Sequence, residues 1–138
     1  MVILGVDYGS RRVGLAITDS EEIIATPLKT LQVRDAHDAA RKVAEVARAR
    51  QVALIVVGLP LNMNGSVGPK AAEIQAFVSI VQQQVPCQVL TWDERLSTVT
   101  AEDALLEAGL TRKKRRQRID KVAAQVILSD FLQTWHRE

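Results

Sequence analysis

The spacing of apolar positions changes several times along the chain, and each change marks a new element. Val2 to Asp7 is an apolar run that closes on an acid and reads as a strand. Tyr8 to Arg12 reads as a turn, and Val13 to Thr18 as a second strand paired with the first in a hairpin. A third strand is expected within Ile23 to Leu31, interrupted or bounded at Pro27. The period then lengthens: Ala36, Ala39, Ala40, Val43, Val46 and Ala47 share one face of a helix running to Arg50. Val52 to Val57 is continuously apolar, as in a strand covered on both faces.

Gly58 to Pro69 is a loop rich in Gly, Pro and Asn. A helix follows to about Gln84, with Ile74, Phe77, Val78 and Val81 inward, and Pro86 stops it. Gln88 to Trp92 is another strand. Ser97 or Thr98 can cap a helix running to Glu107, with Gly109 as its stop. A basic segment precedes a last helix from about Asp120 to Trp135. Three strands followed by strand–helix alternation predict an α/β domain in which helices pack on a mixed five-stranded sheet.

The length, 138 residues, fits a single domain spanning 1–138 with its own core. No apolar run is long enough for a membrane span, and the start carries no signal-peptide pattern. Cys87 is alone, which excludes an internal disulfide and makes the cytoplasm the expected compartment. The net charge of +2 conceals a segregation. Residues 1–111 carry a net −3, and residues 112–121 a net +6. The cluster comprises Arg112, Lys113, Lys114, Arg115, Arg116, Arg118 and Lys121. Such density repels itself, is expected to be mobile without a ligand, and suits a polyanion backbone. The bland alternative is a solvated surface loop.

Four short segments carry candidate chemistry. In GVDYGSRRVGLAITD, Asp7 ends a strand and shares a face with Ile3 and Gly5. A carboxylate fixed at a sheet's end suits hard cations such as Mg²⁺ or Mn²⁺. Gly9 permits a tight turn and a close phosphate, and Arg11 and Arg12 can hold phosphate oxygens. Asp7 could equally just open a turn. The Gly9 to Gly14 spacing is not a P-loop, because Leu15 and Ala16 stand where Lys and Ser/Thr are required. In GLPLNMNGS, Asn62 and Asn64 could line a substrate groove, or the segment could be a plain connection.

In DERLST, strand alternation allows only one of Asp93 and Glu94 to face Asp7, and the pattern does not choose. Arg95 could orient a carboxylate or bind phosphate, or simply form an exposed ion pair. In IDKVAAQVIL, Asp120 precedes Ala123, Ala124 and Ile127, a face able to dock closely on a sheet. There Asp120 could reach a metal held by a strand, or serve as a helix N-cap.

These four segments, in this order across nearly the whole chain, resemble the YqgF/RuvX family, whose fold is similar to ribonuclease H and to the junction resolvase RuvC. The resemblance implies a ribonuclease-H-like fold and a catalytic, metal-binding triad of Asp7, Glu94 and Asp120. It is the resemblance that selects Glu94 over Asp93. It implies phosphodiester hydrolysis with Mg²⁺ or Mn²⁺, about 3.5–4 Å apart if two ions are held. The expected partner is RNA or DNA. Family members are linked to processing of the 5′ end of precursor 16S rRNA and, alternatively, to Holliday junction resolution, for which a homodimer would supply two sites.

Two rivals belong to other classes. An actin-like kinase fragment would need a second phosphate loop and more chain. A non-catalytic nucleic-acid-binding factor in transcription or ribosome assembly would have no use for three carboxylates beside a phosphate. Tyr8 is the aromatic residue best placed to stack on a base, and Trp92 is expected in the core. His37 and His136 are expected at the surface.

Overall fold

The computed structural model describes residues 1–94 and 112–135, with the backbone alone for 112–119. Five strands form one sheet: β1 (Val2–Tyr8), β2 (Arg12–Thr18), β3 (Ala25–Gln32), β4 (Val52–Leu59) and β5 (Gln88–Asp93). The order is β3-β2-β1-β4-β5. The β1–β2 and β2–β3 pairs are antiparallel; β1–β4 and β4–β5 are parallel. The mixed five-stranded sheet is thus the one expected, with β1 at its centre.

Strand alternation divides the core into two layers. Leu4, Val6, Val13, Leu15, Ile55 and Val57 point to one face, covered by α1 (Ala36–Ala49) and α2 (Pro69–Gln84). Ile3, Ala16, Leu54 and Val56 point to the other, covered by Ala124, Ile127, Leu128, Phe131 and Leu132 of α3 (Arg112–Trp135). The central strands read as unbroken apolar runs because both faces are covered.

Several boundaries differ from the expected ones. Pro27 lies inside β3, opposite Ala16, where the β2–β3 register shifts. An edge strand tolerates a residue without an N–H. β4 continues through Gly58 to Leu59, so the following loop is shorter than expected. The largest difference is at α3, which begins at Arg112 rather than near Asp120. The backbone of the basic run therefore forms the first turns of this helix rather than a separate segment before it. Lys, Arg and Gln are strong helix formers, and no Gly or Pro follows Gly109 to interrupt them. Asp120 lies within α3 and does not cap it. The helix expected up to Glu107 falls outside the described residues.

Local chemistry fixes the start of α1. The Asp35 side chain caps it, accepting from the Asp38 N–H at 2.8 Å. The buried Asp38 carboxylate accepts in return from the Arg34 N–H at 3.0 Å and from Arg41 at 2.7 Å. These bonds, led by the Arg34 N–H, hold its acid form well below the usual carboxylate range.

Two substitutions test this packing. Asp35→Ala should cost about 1 kcal/mol of unfolding free energy through the lost cap, read from denaturant midpoints. Gly14→Ala should cost more, roughly 1–3 kcal/mol, because a Cβ there would run into the backbone carbonyl of Asp120.

Candidate active site

Asp7 stands near the C-terminal end of β1, on the face covered by α3. Its partner in β2 is Gly14. Val6 pairs with Val57 in β4, which sets Gly58 level with Asp7 on the other side. Asp7 is therefore flanked by a glycine on each neighbouring strand. Over Gly14 lies the backbone of Asp120. Over Gly58 lies Glu94, whose Cδ would be 3.1 Å from a Cβ built there. Side chains at either position would occupy the space through which Asp120 and Glu94 approach Asp7.

The strand pattern of β5 now separates the two acids that the sequence could not. Val89 packs in the α1/α2 layer, and Leu90 and Trp92 pack against the α3 layer. Asp93 ends the strand on the α1/α2 side, and Glu94 follows on the α3 side with Asp7.

The electrostatics agree with this placement. Burial first, and then the charges of Glu94 and Asp120, raise Asp7 from 3.8 to about 7 against the opposing charge of Lys70. Glu94 is raised by burial and by Asp93, again against Lys70. A buried carboxyl with two further acids beside it favours either a held proton or a nearby cation. The donors are all carboxylate oxygens, which suits a hard divalent cation. The residues thus fit such an ion in chemistry. They do not yet enclose one: among the described residues no three His, Cys, Asp or Glu side chains converge tightly enough to hold a metal. Asp120 is drawn instead to Arg12, with Nε to Oδ2 at 2.9 Å.

Asp7, Gly9, Arg11, Arg12, Lys70 and Asp120 line an open cleft of about 310 Å³. Gly9 is fixed by crowding, since a Cβ there would be 2.6 Å from the Arg12 carbonyl oxygen. Lys70 escaped the sequence reading. It follows Pro69 at the start of α2, and only the fold brings that helix end beside Asp7.

Other expected substrate contacts lie elsewhere. Asn62 donates to the Ser66 hydroxyl at 2.9 Å, and Asn64 accepts from the Ser66 N–H at 3.0 Å. Both amides hold their own exposed loop together and are not in the cleft lining. Tyr8 contributes to the cleft wall, but its ring is no free platform for a base. It points to the opposite face, is buried, and stacks on Phe77 with ring centroids 4.3 Å apart. Trp92 packs in the core, edge-on to Phe131, as expected. His37 is exposed. Arg95 and His136 are outside the described residues. So are the side chains of Arg112, Lys113, Lys114, Arg115, Arg116 and Arg118.

The Asp7 shift has a measurable sign. Its folded value exceeds 3.8, so the unfolded chain releases this proton first as pH rises. In EDTA, stability should fall between about pH 4 and pH 7, with a ceiling of roughly 4 kcal/mol from this group. Asp7→Asn removes the effect. It should melt above the wild type at pH 8, with the gap closing towards pH 4. Adding Mg²⁺ at pH 8 should raise the wild-type melting temperature and leave Asp7→Asn unmoved. Equal melting of the two proteins at pH 8 in EDTA would contradict this account.

Comparison with known proteins agrees with the geometry. Residues 1–134 match the family model RuvX, described as Holliday junction resolvase. A Chloroflexus aggregans protein is 47% identical over 133 residues, covering 94% of this chain and 92% of its own length. One from Bacillus cereus strain B4264 is 43% identical over 134 residues, covering 96% and 98%. Both bear the name "Putative pre-16S rRNA nuclease". Among solved structures, T. thermophilus RuvC in complex with Holliday junction substrate superposes with a TM-score of 0.64 at 15% identity, over 98% of this chain and 96% of its own. The fowlpox virus Holliday junction resolvase gives 0.57 at 12%, over 97% and 99%. The fold is thus ribonuclease-H-like, and with a family match over residues 1–134 and relatives above 40% identity, the chain belongs to the RuvX family.

Proposed function

We propose that this protein is a divalent-metal-dependent nuclease that hydrolyses phosphodiester bonds in the 5′ region of precursor 16S rRNA. The observation that carries the reading is Asp7, flanked by glycines and driven to hold a proton by burial and by the charges of Glu94 and Asp120. The names of its relatives support the substrate.

Asp7, Glu94 and Asp120 are the residues that would hold Mg²⁺ or Mn²⁺. The bound cation supplies a Lewis acid for the phosphate and a means of lowering the pKa of water. The rest falls to the chain itself. Arg11 and Lys70 line the cleft beside Asp7, where they can bind phosphate oxygens and orient the scissile group. The basic turns at the start of α3 can grip the nucleic acid backbone, which positions it without reading its sequence. Cleavage with these roles leaves a 5′ phosphate and a 3′ hydroxyl. Such a protein acts in the cytoplasm, and no helix among the described residues is long and apolar enough to cross a membrane.

A second reading, Holliday junction resolution, is supported by the description of the family model. It requires two copies, because symmetric cuts need two sites.

The deciding experiment is a cleavage panel in Mg²⁺ or Mn²⁺. It compares an RNA carrying the precursor 16S 5′ leader, a four-way DNA junction and single-stranded DNA. The expected result is cutting of the RNA that falls at least about a thousandfold in Asp7→Asn, the scale of losing a main electrostatic group. Paired symmetric nicks in the junction alone would favour the second reading. Cleavage undiminished in Asp7→Asn would overturn the mechanism.

A further inference from the structure

Arg12 occupies an unusual place for a phosphate-binding residue. Counting back from Gly14, it lies on the α3 face of β2, at the mouth of the cleft. Its Nε donates to Oδ2 of Asp120 at 2.9 Å. The pair is half-covered: the side chains are 36% and 18% exposed. It is therefore less screened than a surface ion pair, yet solutes can reach it. Arg12 also lines the cleft.

The backbone of Asp120 cannot move far in response, because its carbonyl is pressed against Gly14. The carboxylate hangs from this fixed backbone by two side-chain torsions, and rotation about them is the way it would leave Arg12 for Asp7. In the structure it is with Arg12, and the carboxylates do not close around a cation. A guanidinium and a divalent cation cannot share these oxygens cheaply. They compete for the same lone pairs, and at a few ångströms they repel each other.

Resting on the metal-site reading above, we infer that Arg12 is a latch that holds Asp120 away from the cation site. Arg12 is a positioning residue here, acting through Asp120. When the latch opens, Asp120 turns to the cation and the guanidinium fork becomes available to a phosphate, which it matches bidentately. A fixed clasp is the opposite arrangement: Arg12 would then hold Asp120 in the metal-binding pose, and its loss would weaken the metal.

The test is Mg²⁺ affinity, measured by calorimetry on the full chain without nucleic acid. The variants are Arg12→Gln, Arg12→Met and Arg11→Gln, beside wild type and Asp7→Asn. Arg12→Met keeps the stem of the side chain should Gln disturb folding, and melting curves check both. Arg11 lines the same cleft, so Arg11→Gln measures what the loss of one positive charge does by itself. A latch predicts Mg²⁺ binding at least tenfold tighter in Arg12→Gln and Arg12→Met, and within threefold of wild type in Arg11→Gln. Unchanged or weaker binding in the Arg12 variants overturns the latch, as does an equal gain in Arg11→Gln. Those results leave the metal site standing, provided Asp7→Asn abolishes wild-type binding. Absence of binding in every protein overturns the metal site and the latch together.

Discussion

The site depends on the absence of two side chains. Gly14 and Gly58 flank Asp7 on the neighbouring strands, and each lies under a group that must come close. A methyl on the first would strike the Asp120 backbone, and one on the second would strike Ile127 and crowd Glu94. Glycine in a strand interior normally weakens it. Here β2 and β4 are each bonded on both sides in the sheet and covered on both faces, so the surrounding packing offsets that cost. The gain is a depression in the sheet surface beside Asp7, over which the Asp120 backbone and Glu94 lie. Gly5 extends the same trough towards Leu128 and Ala124, which lets α3 lie low along its length.

Much of this fold was legible in the sequence, and the reasons differ by element. β1, β4 and α1 declared themselves by period, because burial on both faces or one face writes directly into apolar spacing. The start of α3 did not. Its first turns are nearly all charged, so they carry no apolar period and resemble a solvated segment, and only helix propensity argued otherwise. Asp93 and Glu94 were indistinguishable because alternation needs a phase, and the phase of β5 is set by Leu90 and Trp92 meeting α3. Lys70 was invisible for a related reason: nothing local to Pro69 says which strand end the helix will face. Tyr8 misled because proximity to Asp7 in sequence means the opposite face in a strand.

The charge pattern acquires a meaning once the fold is known. Residues 1–111, net negative, contribute Asp7 and Glu94, while the net-positive stretch contributes Asp120. Acids from both stretches thus come together beside Asp7, with Arg12 and Lys70 as the local cations.

That α3 is one continuous helix from Arg112 to Trp135 has a geometric corollary. The eight residue steps from Arg112 to Asp120 span about 12 Å at 1.5 Å per step. Beyond Asp120 the same rod is clamped to the sheet by Ala124, Ile127, Leu128 and Phe131. Asp120 stands where the basic turns meet the part of the helix that packs on the sheet, with its carbonyl against Gly14. The basic end of the helix and the acid beside Asp7 thus belong to one continuous element.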